Sequence, residues 1–148
     1  MNFQREKLSE CVNDIEILAN GLYDELYPYK DIPLNVDWEK FVMLDRSGHA
    51  HTYTARKEDG SISAFAVFYV HISLECQVLQ ASLAHIFINK EDRGYGKKFI
   101  SWCEDQLKEY NVELIFHHVK TYNNYGSLLE KLGYEEINIE YVKRLNRE

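Results

Sequence analysis

The chain has 148 residues, 45% of them hydrophobic and 28% charged, the make-up of one globular domain large enough to enclose a single core. A net charge of −7 argues against a nucleic-acid partner, since no basic footprint is present, and suits solubility or a cationic acceptor drawn by long-range attraction. Three cysteines (Cys11, Cys76 and Cys103) with no CxxC spacing exclude a disulfide framework and a zinc site, and fit a reducing cytosol.

The polar opening, Met1 to Glu10, has no signal-peptide pattern. The longest apolar run, Ala64 to Ile72, is too short to span a membrane. A single cytoplasmic domain over residues 1–148 is expected, with no membrane partner. The first element is an amphipathic helix, because Leu8, Cys11, Val12, Ile15, Leu18, Ala19 and Leu22 recur at helical spacing. Tyr27-Pro28 ends it, since proline disfavours helix in the residue before it. Asp37 reads as the N-cap of a second helix, Trp38 to about Arg46, stopped near Gly48. Two strands follow, His51 to Arg56 and Ile62 to Ile72, joined by a Glu58-Asp59-Gly60 hairpin turn. A third runs from Val78 to Ile88. Asn89 to Arg93 reads as loop, and Gly96 to Tyr110 as a helix with Phe99, Ile100, Cys103 and Leu107 on one face. Val112 to Val119 is nearly continuous in apolar character at its start, which points to a buried central strand. A short helix, Ser127 to Leu132, stops at Gly133, and Ile137 to Leu145 reads as a closing strand. The order ααβββαβαβ gives an α+β domain with α/β-type crossovers onto one mixed sheet.

The segment richest in chemistry is Ile86-Phe87-Ile88-Asn89-Lys90-Glu91-Asp92-Arg93-Gly94-Tyr95-Gly96-Lys97-Lys98-Phe99. It reads as strand, polar loop, glycine-containing turn and helix. A helix N-terminus carries unpaired N–H groups and the positive end of the dipole, which together suit a diphosphate. Gly94 and Gly96 let the backbone come close to phosphate, and Lys97 and Lys98 add positive charge. A bare Gly-x-Gly pair is equally at home in a plain strand-to-helix turn. The dinucleotide pattern needs a third glycine where Phe99 stands, and the P-loop pattern GxxxxGK[ST] does not occur.

In its setting this stretch resembles motif A of the GNAT (GCN5-related) N-acyltransferases, Arg/Gln-x-x-Gly-x-Gly/Ala after a strand, here Arg93-x-x-Gly96-x-Lys98. Lys98 departs from the small residue of that pattern, so it must point outward or sit beside a phosphate. A second match follows in Leu128-Leu129-Glu130-Lys131-Leu132-Gly133-Tyr134, similar to the family's Leu-Tyr-x-Lys-x-Gly-Phe, with Asn123-Asn124 before it near the family's usual Asn. The two motifs cover about residues 78 to 145. The element order and the His118-Val119-Lys120 stretch are also similar to small acyltransferase-like proteins of bacteriophages.

The resemblance implies an acetyl-CoA-dependent N-acetyltransferase with no metal, in which an amine attacks the thioester directly. It places Ile86, Phe87 and Ile88 along the pantetheine arm, and the turn from Arg93 through Gly94, Tyr95, Gly96, Lys97 and Lys98 to Phe99 around the diphosphate. Asn123 and Asn124 join the cofactor set, and the Ile88 N–H is the implied oxyanion donor. By register the base is His118, with His85 as second candidate, and each is equally readable as a hydrogen-bonded histidine with no chemical role. His117 should face the other side of the sheet, which rules out a His117/His118 metal pair. The family's general acid is a Tyr where Leu129 stands. Tyr125 or Tyr122 is the candidate replacement, or else both rings simply pack. Acceptor selection is implied for Tyr23 to Trp38, His71 to Gln77 and Glu135 to Tyr141, and a homodimer through the last strand. A degenerate module that binds acyl-CoA or a protein without turnover is the competing expectation, favoured by Leu129 and Lys98.

Overall fold

The computed structural model describes residues 1–21, 29 and 31–145, and for Arg93 the backbone alone. Leu22 and the Tyr27-Pro28 stop lie outside the described residues. A five-stranded mixed sheet runs in the order β1-β2-β3-β4-β5, from β1 (Asn2–Glu6) through β2 (Ala50–Arg56), β3 (Ile62–Ile72) and β4 (Leu79–Ile88) to β5 (Leu114–Phe116). The first four strands pair antiparallel in chain order, and β4 pairs parallel with β5. The helices are α1 (Leu8–Gly21), α2 (Trp38–Arg46), α3 (Gly96–Glu109) and α4 (Gly126–Lys131).

The α+β class with one mixed sheet is as expected. The element order departs from ααβββαβαβ at both ends. Residues 2–6 form a strand that periodicity did not show, because Phe3 is their one large apolar side chain. Phe3 packs on Tyr95, Phe99 and Trp102. The Arg56 guanidinium grips the Glu6 carboxylate through two nitrogens, at 2.9 and 3.0 Å, and reaches Asp14 of α1 at 3.2 Å. The Thr54 hydroxyl also bonds Glu6, so β1, β2 and α1 are pinned at one point. At the other end, residues 137–145 form no strand. Ile137, Ile139, Tyr141, Val142 and Leu145 are exposed there, so the alternation that suggested a strand meets no sheet among the described residues. β5 is an edge strand of three residues rather than a central one; its Ile115, with Val112 just before the strand, packs against the α3-side core.

Two cores flank the sheet. On one face Leu8, Cys11, Ile15 and Ala19 of α1 pack with Phe65, Val67 and Phe87, the helical stripe read from the sequence. Full burial of each Leu or Ile there contributes about 1.5–3 kcal/mol. α2 closes the same face. Asp37 caps it by accepting from the Lys40 N–H at 3.0 Å, and Asp45 in its last turn accepts from the Leu8 N–H at 3.0 Å, capping α1 in turn. On the other face Phe99, Cys103 and Leu107 of α3 pack on Tyr53, Phe68, Val70 and Leu83. The hairpin between β2 and β3 turns at Gly60, whose φ of +87° an L side chain would resist.

Candidate active site

The site forms where β4 and β5 part company. Their ladder holds only Gln80↔Leu114, Ala81↔Ile115 and Ser82↔Phe116, and β4 then runs on to Ile88. Just past that point β4 carries a bulge. Val67 of β3 pairs with His85 and the adjacent Phe68 pairs with Leu83, leaving Ala84 as the extra residue. Leu83 and Ile86 belong to the α3-side core, whereas Ala84 packs on the α1 side and His85 lies against Phe41 of α2, ring centroids 5.9 Å apart. Strict alternation would send His85 to the α3 side with Leu83. The bulge turns it to the α2 side instead.

There it enters an open cleft of ≈ 870 Å³, walled by residues 32–37, Phe41, Tyr69, the β4 residues 82–85, and His118, Lys120 and Glu140. His85 of β4 and His118, two residues past the end of β5, thus share one cleft. Phe41 and Tyr69 stack in its wall at 6.0 Å and 12°. Burial, and then the charge of Lys120, pull the pKa of His85 down, which favours its neutral ring. Of the expected acceptor regions, residues 32–37 and Glu140 reach the cleft. Residues 71–77 do not line it. His71 instead bonds Gln80 at 3.0 Å, and Glu75 bonds Ser73 at 3.2 Å. Residues 23–28 and 30 lie outside the described residues.

Just past β5, His117 faces away from His118, toward the α3-side layer. Its Nδ1 meets the Tyr125 hydroxyl at 3.3 Å, and its ring stands edge-on to Tyr134 and Phe68 in the α3-side layer. Burial, and then the neighbouring His118, hold the His117 pKa down at about 4. Burial raises that of the Tyr125 phenol. Tyr125 therefore stands on the opposite face of the sheet from His85 and His118. Leu129 is buried at 6% exposure, so the second motif contributes apolar packing at the position where the family carries a phenol.

The expected loop after β4 is a 3-10 helix, Lys90–Tyr95, that leads straight into α3. The cap position of α3, Tyr95, offers no side-chain bond to the first-turn N–H groups, and that turn holds no acidic residue. Lys97 and Lys98 are exposed beside it, so Lys98 points outward. An added Cβ at Gly94 would meet nothing within 4 Å, which leaves room for a close approach to the backbone. At Gly96 it would meet Ile88 Cδ1 at 3.1 Å. The Phe99 side chain is fully buried in the core, so only its backbone can face a ligand. The Tyr95 hydroxyl turns inward to Ser63 rather than toward solvent. Phe87 buries its ring against Phe65, while Ile86 and Ile88 pack on the α3 side. Asn124 Oδ1 accepts from the Gly126 N–H at 2.8 Å and the Asn123 N–H bonds the Lys120 carbonyl at 3.1 Å, so this pair shapes the turn into α4. Sequence reading missed Phe41, Tyr69 and Lys120 in the cleft, and Ser63 beneath the turn. Their only signal is tertiary.

No protein-family model matches the chain, and no curated protein matches it. Solved structures do. A ribosomal-protein-alanine N-acetyltransferase from Brucella melitensis biovar Abortus 2308 superposes with a TM-score of 0.72 at 18% identity, over 98% of this chain and 100% of that one. The chain has the GNAT acetyltransferase fold. An aminoglycoside acetyltransferase from an uncultured soil metagenomic sample gives a TM-score of 0.75 at 15% identity, over 98% of this chain and 96% of the other. A predicted acetyltransferase of Clostridium acetobutylicum, solved with acetyl-CoA, gives 0.71 at 15% identity, over 97% and 96%. The GNAT fold thus spans nearly all of this chain. Among the described residues no helix is long and apolar enough to cross a membrane, and no three His, Cys, Asp or Glu side chains gather as a metal site.

Proposed function

We propose that the protein is an acetyl-CoA-dependent N-acetyltransferase whose acceptor carries a primary amine. The observation that carries this reading is the parting of β4 from β5, with a helix N-terminus that no side chain caps near one end of the gap and a cleft holding two histidines at the other. The residues present fit the cofactor. The α3 amides, the open face at Gly94, and Lys97 and Lys98 suit a diphosphate, and the β4 backbone beyond Ser82 suits an extended amide-bearing arm. Acetyl-CoA would supply the thioester. Its phosphate ribs would lie on the backbone from Arg93 to Phe99, its arm along residues 86–88, and the turn at Asn123 and Asn124 beside it.

The acceptor amine enters the 870 Å³ cleft as a free base, and His118 takes the proton it sheds as the new C–N bond forms and the C–S bond breaks. His85, held neutral beside Phe41, is the second candidate for that proton. Tyr125, on the far side of the sheet from the two histidines and with a phenol that keeps its proton at neutral pH, is the proposed donor to a thiolate that departs through the β4–β5 gap toward the α3 side. Holding both reactants in one cleft supplies much of the rate. The exposed apolar side chains Ile137, Ile139 and Tyr141 support a homodimer through the tail.

Acetyl-CoA should raise the melting temperature, since a ligand bound only by the native state stabilises it. An unchanged melt at saturating acetyl-CoA sinks the reading. Thiol release with a panel of amines then tests turnover, and His118→Ala should abolish most of it while leaving the thermal shift intact. Buried Leu129 favours one competing reading, a module that binds acyl-CoA without turnover. A thermal shift with no thiol release for any amine, aminoglycoside or peptide would select it.

A further inference from the structure

We infer that Ser63 is a positioning residue for the cofactor turn: it clamps the 3-10 helix from beneath and so sets where the α3 amides meet the diphosphate. The inference rests on the acetyl-CoA reading above and adds a residue that neither motif contains. Ser63 is the second residue of the long central strand β3 and is fully buried. It holds the turn at three points. Its carbonyl accepts from the Asn89 N–H at 2.8 Å, and its hydroxyl donates to Asp92 Oδ2 at 2.8 Å. Because that hydroxyl has one proton, the Tyr95 phenol, 2.5 Å away, must donate to it.

The spacing of the three partners is what makes one residue sufficient. Asp92 and Tyr95 are three apart within the 3-10 helix, which repeats every three residues, so they fall on a single face, and Asn89 is the residue just before that helix. Ser63 therefore grips the turn at its entry and along one face. Gly94, with open space where a side chain would stand, belongs to a different face. Charge is handled at the same point. A carboxylate beside a diphosphate site would repel it. Lys57 Nζ lies 3.0 Å from Asp92 Oδ2, and together with the Ser63 proton it compensates that charge. Asp92 can thus serve as a pin without spoiling the field in front of α3.

The test is calorimetry with CoA, paired with thermal shift by S-acetylpantetheine, a probe that lacks the diphosphate. Ser63→Ala should weaken CoA about tenfold, the scale of one lost buried hydrogen-bond network member, and Tyr95→Phe should do likewise. The shift with S-acetylpantetheine should match wild type in both variants, and Ser63→Thr, which keeps the hydroxyl, should restore CoA binding. Unchanged CoA affinity in both deletion variants overturns the inference. So does equal weakening of both probes, which would mean a general disturbance of the channel. A wild-type protein that ignores CoA altogether is a separate result, and it refutes the cofactor reading itself.

Discussion

Taking the pH from 7 to 5 should cost the wild-type chain about 2 kcal/mol more stability than it costs a His51→Gln variant. His51 is fully enclosed in β2, with its Nδ1 3.1 Å from the Tyr53 hydroxyl and its ring edge-on to Tyr110 at 4.5 Å. Burial, and then the charge of Arg5, push its pKa from 6.5 down to about 4. The sign follows from which state takes the proton. The unfolded chain binds it near 6.5, while the folded chain refuses it until about 4. Stability is therefore complete above the unfolded value and falls as the pH drops between the two, by about 3 kcal/mol in total and about 2 by pH 5. That is a large share of the roughly 5–15 kcal/mol that holds a domain together. Glutamine keeps a polar group for Tyr53 and does not titrate. All other ionisable groups, His117 included, remain in both proteins and cancel. Urea unfolding followed by circular dichroism at several pH values gives the two curves. Parallel curves would show that His51 is solvated in the folded chain, and the account of its enclosure would fail.

Two further outcomes follow from the same contacts. Asp45→Ala in α2 should destabilise the fold by about 1 kcal/mol through loss of the cap on α1, whereas Glu39→Ala, also in α2, should change little; urea midpoints compare them directly. Only Cys76 is exposed among the three free thiols, and burial pushes Cys11 up to about 12 and raises Cys103 as well, so an aromatic disulfide reagent should titrate one fast thiol per chain, with the other two appearing only in denaturant.

The sequence made local features readable where one residue type answers to one local geometry. The stripe Leu8, Cys11, Ile15, Ala19 lies buried as its spacing required, Asp37 caps the helix it precedes, and the chain turns at Gly60. The strand, turn and helix that frame the proposed cofactor site were readable for the same reason. What escaped was set by pairing across the chain. β1 owes its existence to β2 and to the Glu6–Arg56 pair, not to any apolar rhythm of its own. The apolar run at residues 112–119 looked central because run length does not say which neighbours arrive; only β4 does, and only for three residues. Ser63 and Asp92 are distant in sequence, so no window joins them. His85 reached the cleft through a bulge that two-residue alternation cannot express.

That extra residue at Ala84 bears on how the molecule behaves in company. A strand that loses its partner midway presents a margin of amides and carbonyls to any passing chain, and straight margins of this kind recruit their own copies. An inserted residue bends and over-twists such a margin, so that a foreign strand cannot follow it in register. The gap proposed to take the cofactor arm is for that reason a poor template for a second strand, and the kink that steers one imidazole also disfavours edge-to-edge pairing along β4.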